Sequence, residues 1–496
     1  MADDSAGSGG GAAGRRAARE GGSVPAERER LVELEVGRVA HGGSCVARAE
    51  GRVVFVRHAL PGERVRARVT DRSHDRYWRA DAVEILEPSP DRVAPPCPHA
   101  GPRRASGAAG QAALGGCGGC DWQHATLAAQ RRLKAQVVAE ALRRQGGLSA
   151  HVVGEDEKDQ TEATGLAIAV EPLPGPGLGD GLGWRTRMRF AVTPAGEVGL
   201  RAHRSHEVLA TPDCRIAHPL VVAAVAGKRF ADAEAVEVAA SVSSGRALAR
   251  PTGRGPAASQ RAAADGAADQ ELVERVRGRE FQVDAGAFWQ VHPAAAGTLV
   301  DAVLAALEPQ PGERALDLYS GAGLFAAFLA EGVGPDGQVI ALESDAAAVA
   351  SAARSMADLP WVSVRPVRVT AKTVQGAVGL AGRTGPGGLA GRTGPGGPAG
   401  RTGPGGPAGG AGVDGGRAID VAVLDPPRAG AGVDVLTALL GLRPRAVAYV
   451  ACDPVALGRD LAVAVSCGYR VSDVRAFDLF PMTAHIECVA RLVPAS

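Results

Sequence analysis

Lysine is nearly missing from this chain: Lys134, Lys158, Lys228 and Lys372 stand beside 51 arginines in 496 residues. Aromatic residues make up only 4%, too few for a binding surface built mainly on stacking. No uninterrupted apolar run approaches the ~20 residues that span a bilayer, which excludes a helical membrane anchor. The opening MADDSAGSGGGAAGRRAARE has no apolar segment of a secretory signal, so a cytoplasmic protein is expected. Eight cysteines are too sparse for a disulfide scaffold in a chain of this length. They are left as metal ligands, a nucleophile or buried thiols. The net charge of +1 also lacks the basic excess of a nucleic-acid-binding chain.

Charge is unevenly distributed, however. Residues 284–496 hold 16 basic and 19 acidic side chains. Residues 48–79 hold nine arginines against four acids, residues 103–144 seven basic groups against two acids, and residues 184–206 five arginines against Glu197. Guanidinium forks pair with phosphate, so these stretches suit a nucleic-acid backbone as well as a solvated surface.

The texture changes along the chain as it would across several domains. Residues 1–27 are Gly/Ala/Ser-rich and read as a disordered tail. Residues 28–88 carry five short alternating runs, from LVELEVGRV to WRADAVEIL, which predict a small β-barrel of the oligonucleotide-binding type. Residues 89–283 form a middle α+β domain with a helix over 122–146, a hairpin around Pro194–Gly196 and insertions at 154–182 and 241–270. From residue 284 to 496 apolar strands alternate with helices, which predicts a doubly wound, largely parallel sheet. The repeat LAGRTGPGG interrupts it; residues 379–412 cannot bury a core and read as an insertion.

Three strand ends carry chemistry. DLYSGAGLF (317–325) is a strand, a Gly-x-Gly turn and a helix, which lets backbone approach a cofactor, and the next strand ends in Glu343, placed to accept from ribose hydroxyls. The loop is shorter than the dinucleotide fingerprint, which disfavours NAD over S-adenosylmethionine. Asp425-Pro426-Pro427-Arg428 ends a later strand and Cys452-Asp453-Pro454 the one after it, so Asp425 and Cys452 should face one crevice. Glu487 opens the last strand. A thiol and a carboxylate beside a methyl donor suit attack on a pyrimidine: the thiolate adds to carbon 6, carbon 5 takes the methyl, and a base removes the carbon-5 proton. Separately, Cys117 and Cys120 form a two-ligand hook, with nineteen residues separating Cys97 from Cys117 and with Cys214 downstream. Four thiolates suit an iron–sulfur cluster or a zinc ion.

Taken together, these segments resemble the RNA 5-methyluridine methyltransferases, which act on uridine in ribosomal or transfer RNA. The resemblance spans residues 28–496 apart from the insertions. It rests on CGGCDWQH (117–124), FWQVHP (288–293), DLYSGAGLF, DPPR, YVACDPVALGRDL (449–461) and PMTAHIE (481–487). The resemblance implies a TRAM barrel, a Rossmann-like class I methyltransferase sheet, an RNA partner and no membrane partner. It implies that Gln290, Tyr319, Gly321, Gly323, Glu343 and Asp425 contact S-adenosylmethionine, and that Cys97, Cys117, Cys120 and Cys214 hold a [4Fe-4S] cluster. Cys452 would be the nucleophile and Glu487 the base. His292 stands where many members have Asn. Two other readings fit these residues less well. An amino-group methyltransferase usually has an aromatic after its Pro-Pro, where this chain has Arg428, and has no use for a strand-end cysteine. An inactive RNA-binding scaffold sits poorly with the presence of Cys452, Glu487 and Asp425 together.

Overall fold

The computed structural model describes residues 30–103, 115–153, 165–174, 179–253, 270–377 and 418–495. The expected tail at 1–27 and the repeat at 379–412 lie outside the described residues.

The N-terminal unit holds β1 (Leu31–Glu35), β2 (Cys45–Ala49), β3 (Arg52–Arg57), β4 (Arg64–Asp71) and β5 (Tyr77–Glu87) in the order β1-β4-β5-β3-β2. The pairings are antiparallel except β3 with β5. Residues following β1 close the seam: Gly37 N–H donates to Val46 O at 2.8 Å and Val46 N–H to Arg38 O at 2.9 Å. That order with a closed seam is an oligonucleotide-binding-type barrel. Alternation puts Val54, Val56, Val65, Ala67 and Trp78 inside.

Helix α1 (Leu127–Gly146) starts five residues later than its apolar spacing suggests, because the Thr126 side chain caps it by accepting from Ala129 N–H. It ends where Gly147 turns left-handed at φ 62°. Its buried face, including Leu133, Val137, Val138 and Leu142, joins the barrel to the main sheet. Three short strands follow: β6 (Ala150–Val152), β7 (Leu166–Ile168) and β8 (Val170–Pro172). The middle sheet runs β11-β10-β9-β12-β13 from β9 (Arg187–Val192), β10 (Val198–Arg201), β11 (Val208–Ala210), β12 (Ala235–Ser241) and β13 (Arg246–Thr252), with α2 (Pro219–Val225) packed on it. Stretches expected as insertions therefore contribute strands. β8 joins the edge of the main sheet beside residues 476–478, and β13 pairs along the whole of β12. Both are poor in large apolar residues because pairing to an existing strand, rather than core packing, holds them.

The hairpin β14 (Glu271–Val276) and β15 (Arg279–Asp284) precedes α3 (Ala295–Leu307) and the main sheet. That sheet uses β16 (Arg314–Leu318), β17 (Gln338–Glu343), β18 (Val362–Pro366), β19 (Val421–Leu424), β20 (Ala446–Ala451), β21 (Tyr469–Asp478) and β22 (Glu487–Pro494) in the order β18-β17-β16-β19-β20-β22-β21-β8. The first five are mutually parallel, and β22 runs antiparallel to both its neighbours. Helices α4 (Leu324–Val333), α5 (Ala346–Ser355), α6 (Ala371–Gly376), α7 (Val433–Gly441) and α8 (Pro454–Ser466) connect the strands. Every residue of β16, β19 and β20 is buried, which is why these strands read as near-continuous apolar runs. The hairpin β14–β15 packs on α5: the Ser351 and Ser355 hydroxyls accept from Asp284 and Gln282 N–H. Among the described residues no helix is long and apolar enough to cross a membrane.

Candidate active site

The carboxyl ends of the parallel strands form one row. Leu318 pairs with Leu342 on one side and Leu424 on the other, so Glu343, Tyr319 and Asp425, each the next residue of its strand, lie side by side. Tyr319 has φ 63° and Gly321 φ 54°, a left-handed turn that swings the Gly-Ala-Gly loop over the strand ends. Gly323 is favoured by its backbone angle, and a side chain there would also push the flexible end of Met356. Its φ is 85°, and a Cβ there would stand 2.6 Å from Met356 Cε. Glu343 stabilises the loop: Oε2 accepts from Gly321 N–H at 2.9 Å, and Oε1 from Ser344 and Asp345 N–H at 2.6 and 2.7 Å. A cleft of about 570 Å³ opens here, lined by Tyr319, Glu343, Arg368, Pro427, Ala431 and Val435 among others, within the ~300–1,000 Å³ of ordinary small-molecule sites. Gln290 is buried between β15 and α3.

This cradle suits a cationic cofactor. Asp317 is fully buried in β16, and among the described residues neither of its carboxylate oxygens nor the Ser320 hydroxyl has a hydrogen-bond partner. Burial, together with the nearby charges of Asp425 and Glu343, pushes the Asp317 carboxyl well above the usual range, against the one nearby donor, the Ala326 N–H, which lies outside hydrogen-bond geometry. Buried acids left without a donor are costly. A ligand bringing positive charge and N–H or O–H donors offsets that cost, and the sulfonium and ammonium of S-adenosylmethionine meet this description.

The second half of the crevice is built by β20 and β22. Ala451 pairs with Cys488, so one step further Cys452 faces Glu487 across the strands, where facing Cβ atoms stand ~4.5–5.5 Å apart. Glu487 is buried, Cys452 half-buried and Arg428 exposed. Burial, with the charges of Glu487 and Asp425 adding to it and Arg428 opposing, pushes the Cys452 thiol up to about 11. Burial, with the charge of Asp425, raises Glu487 well above the carboxylate range, again against Arg428. Asp425 is raised to about 7 by burial. Thiol, two carboxyls and a guanidinium therefore feel one another in one pocket.

Several residues that fix this pocket were not singled out in the sequence. Asp453 caps α8, its Oδ1 accepting from Val455 and Ala456 N–H at 3.0 and 2.8 Å, a role the Asp-Pro pair signals. Buried Asp460 accepts from Tyr449 Oη at 2.5 Å and Ala431 N–H at 2.7 Å, which holds the turn after Asp425-Pro-Pro-Arg. The loop between β21 and β22 is gripped from α1. Lys134 is buried, with Nζ 2.5 Å from Asp478 Oδ1 and 3.1 Å from Phe480 O. Gln130 Oε1 accepts from Met482 N–H at 2.8 Å. Only the rarity of lysine hinted at Lys134. Gln130 and Met482 stand 352 positions apart.

Cys97, Cys117, Cys120 and Cys214 line one small cavity, together with Gln123 and Leu200. Cys97 reaches it despite its distance in sequence. Gln123 braces the cavity: Nε2 donates to Cys120 Sγ at 3.2 Å, and Oε1 accepts from Cys97 N–H at 3.1 Å. Burial raises the thiols of Cys117, Cys120 and Cys214. Among the described residues, no three His, Cys, Asp or Glu side chains are grouped closely enough to hold a single metal ion. The remaining cysteines are separate: Cys45 and Cys488 are buried in cores and Cys467 lies at the end of α8.

Many barrel arginines turn out to be paired. Arg64 bonds Glu87, Arg66 bonds Glu84, and Arg103 bonds Glu207, so the local excess of 48–79 is partly cancelled by acids outside that stretch. Arg57, Arg79, Arg103 and Arg204 still line a cleft of about 650 Å³ between the barrel and the middle domain.

Comparison with known proteins places the chain. A TRAM domain model matches residues 25–83, and a tRNA (Uracil-5-)-methyltransferase model matches residues 417–493, the segment with Asp425, Cys452 and Glu487. A protein-L-isoaspartate(D-aspartate) O-methyltransferase model matches residues 290–383. An uncharacterized RNA methyltransferase of Streptomyces avermitilis is 43% identical over 484 residues, covering 94% of this chain and 98% of the relative. The chain belongs to the RNA uracil-C5 methyltransferase family. It is thus an S-adenosylmethionine-dependent enzyme with an N-terminal TRAM domain. The 23S rRNA (uracil(1939)-C(5))-methyltransferase RlmD of Chromohalobacter salexigens is 29% identical, covering 97% of this chain and 93% of the relative. The fold is shared with the Pyrococcus abyssi tRNA (uracil-54, C5)-methyltransferase solved with S-adenosyl-L-homocysteine. The TM-score is 0.58 at 19% identity, over 92% of this chain and 99% of that one.

Proposed function

We propose that this enzyme methylates carbon 5 of a uridine in ribosomal or transfer RNA through a covalent bond between Cys452 Sγ and carbon 6. The observation that carries this reading is the facing of Cys452 and Glu487 across β20 and β22, in the crevice that also receives Asp425. The barrel and the arginine-lined cleft hold the RNA, and the target base is flipped into the crevice, which costs a few kcal/mol of unstacking. Tyr319, Gly321, Gly323, Glu343, Asp425 and Gln290 hold S-adenosylmethionine, which when bound supplies an electrophilic methyl group and a positive charge.

The raised thiol of Cys452 is protonated in the resting site. It ionises, losing its proton to water, as positive charge enters beside it and Arg428. The thiolate forms a bond to carbon 6, and the displaced electron pair makes carbon 5 nucleophilic; carbon 5 would then bond to the methyl group as the sulfur–methyl bond breaks, the cofactor leaving as the neutral thioether. Glu487, raised by burial, likewise gives up its proton to water as positive charge enters beside it and Arg428, and its buried carboxylate is then a stronger base than an exposed one. It takes the carbon-5 proton, the electron pair restores the ring double bond, and the sulfur–carbon bond breaks to return the thiolate. Arg428 stays near both groups and disfavours their simultaneous protonation.

Cys97, Cys117, Cys120 and Cys214 hold a [4Fe-4S] cluster in this proposal. Four thiols lining one cavity suit a cluster whose four irons each take one sulfur. Its role is structural, since Asp121 and Trp122, next to Cys120, both donate backbone N–H to Met482 O at 3.0 Å in the loop leading to Glu487. Purified enzyme, RNA and labelled S-adenosylmethionine test the reaction: label should appear as 5-methyluridine, and label in methylated amino groups of adenine or guanine would overturn it.

A further inference from the structure

The turn between β1 and β2 reaches beyond the barrel. His41 Nε2 lies 3.0 Å from Asp453 Oδ2, and Asp453 directly follows Cys452. The other oxygen of that carboxylate caps α8. Two residues along the same turn, Gly43 has φ 85°, and a Cβ there would stand 2.7 Å from Ala484 Cβ and 3.3 Å from Asp121 Cβ. Its carbonyl accepts from Trp122 Nε1 at 2.9 Å. Ala484 lies three residues before Glu487, and its N–H donates to Asp121 Oδ2 at 2.9 Å. One barrel turn therefore touches the segment of the thiol and the segment of the carboxyl.

On its other side, His41 lines the cleft shared by Arg57, Arg79, Arg103, His203 and Arg204. The four arginines suit a phosphate backbone, while burial lowers His203 and keeps it neutral, and Asp71, Asp81 and Asp121 also line the cleft. His41 is exposed to that cleft, so an RNA strand lying in it meets the imidazole before it meets Cys452. Asp453 and Arg428 are the charged groups that face the ring.

We infer that His41 is a positioning residue, which holds the Cys452–Asp453 turn through the Asp453 carboxylate and ties RNA in the cleft to the aim of the thiol. The inference rests on Cys452 as the nucleophile. Without the imidazole, Asp453 still caps α8 through Oδ1, but Oδ2 is released and the turn gains freedom. A misplacement of ~1 Å in a reacting group costs up to ~10²-fold in rate.

Single-turnover methylation with RNA and S-adenosylmethionine both saturating tests this in the full chain, alongside separate affinities for each. His41→Ala should slow the single turnover by about tenfold or more with cofactor affinity unchanged. His41→Gln, whose amide still donates to Asp453, should recover most of the rate. A wild-type rate in His41→Ala overturns the inference, as does a loss confined to RNA affinity and equal in both variants. Cys452→Ala, run in parallel, separates the two claims: turnover by that variant defeats the nucleophile reading itself, whatever His41 does.

Discussion

Cys452 and Cys120 are both thiols that burial holds protonated, and both adjoin the loop between β21 and β22, yet their surroundings differ. Around Cys452 stand Glu487, Asp425 and Arg428. Around Cys120 stand three further thiols and the Gln123 amide, with apolar Trp184, Ile216 and Met482 behind. Desolvation is common to the two. In the proposed reading, what separates the reacting thiol from the ligating one is the company: proton-accepting groups in one case, more sulfur in the other.

Exchanging each thiol for a hydroxyl should break that symmetry most visibly. Cys452→Ser should lower methylation by on the order of 10⁴-fold while iron content and the melting temperature stay at wild-type values. Cys120→Ser should do the reverse first, losing iron and visible absorbance and melting at lower temperature, with activity falling as the loop at Met482 loosens. Equal iron in the two variants would remove the distinction.

The loop can also be loosened from its other side. Lys134→Met leaves Asp478 buried without its cation, which costs ~3–5 kcal/mol; denaturant melts should show it, with Asp478→Leu in the same chain restoring much of the loss. A variant as stable as wild type would mean that α1 does not brace the loop.

The smallest effect is a pH dependence. The Cys452 thiol lies near 11, so its reactive thiolate is a minority at neutral pH and grows about tenfold per pH unit below that value. Alkylation of Cys452 in cofactor-free enzyme should follow that slope between pH 7 and 10, and S-adenosylmethionine should shift the curve to lower pH. A flat profile would contradict the raised thiol.

The architecture was legible wherever burial imposed composition. The strands β16, β19 and β20 have no exposed residue, so their apolar runs declared both the sheet and the strand ends where Asp425 and Cys452 lie. The five barrel strands announced themselves through period-two alternation. Short strands such as β8 and β13 did not, because pairing rather than side-chain packing keeps them in place. The supports of the site were hidden for another reason. Lys134 with Asp478 and His41 with Asp453 are contacts across the fold, and no local spacing encodes them. Net charge misled in the same way: +1 averages an acidic crevice with an arginine-lined cleft.

The central claim is that Cys452 bonds covalently to the target uridine. RNA carrying 5-fluorouridine tests it most directly, because fluorine cannot be removed as a proton and the adduct is trapped. The account predicts a stable enzyme–RNA complex that forms only with S-adenosylmethionine present and maps by mass spectrometry to Cys452. An adduct on another residue, or one that persists in Cys452→Ala, would contradict it.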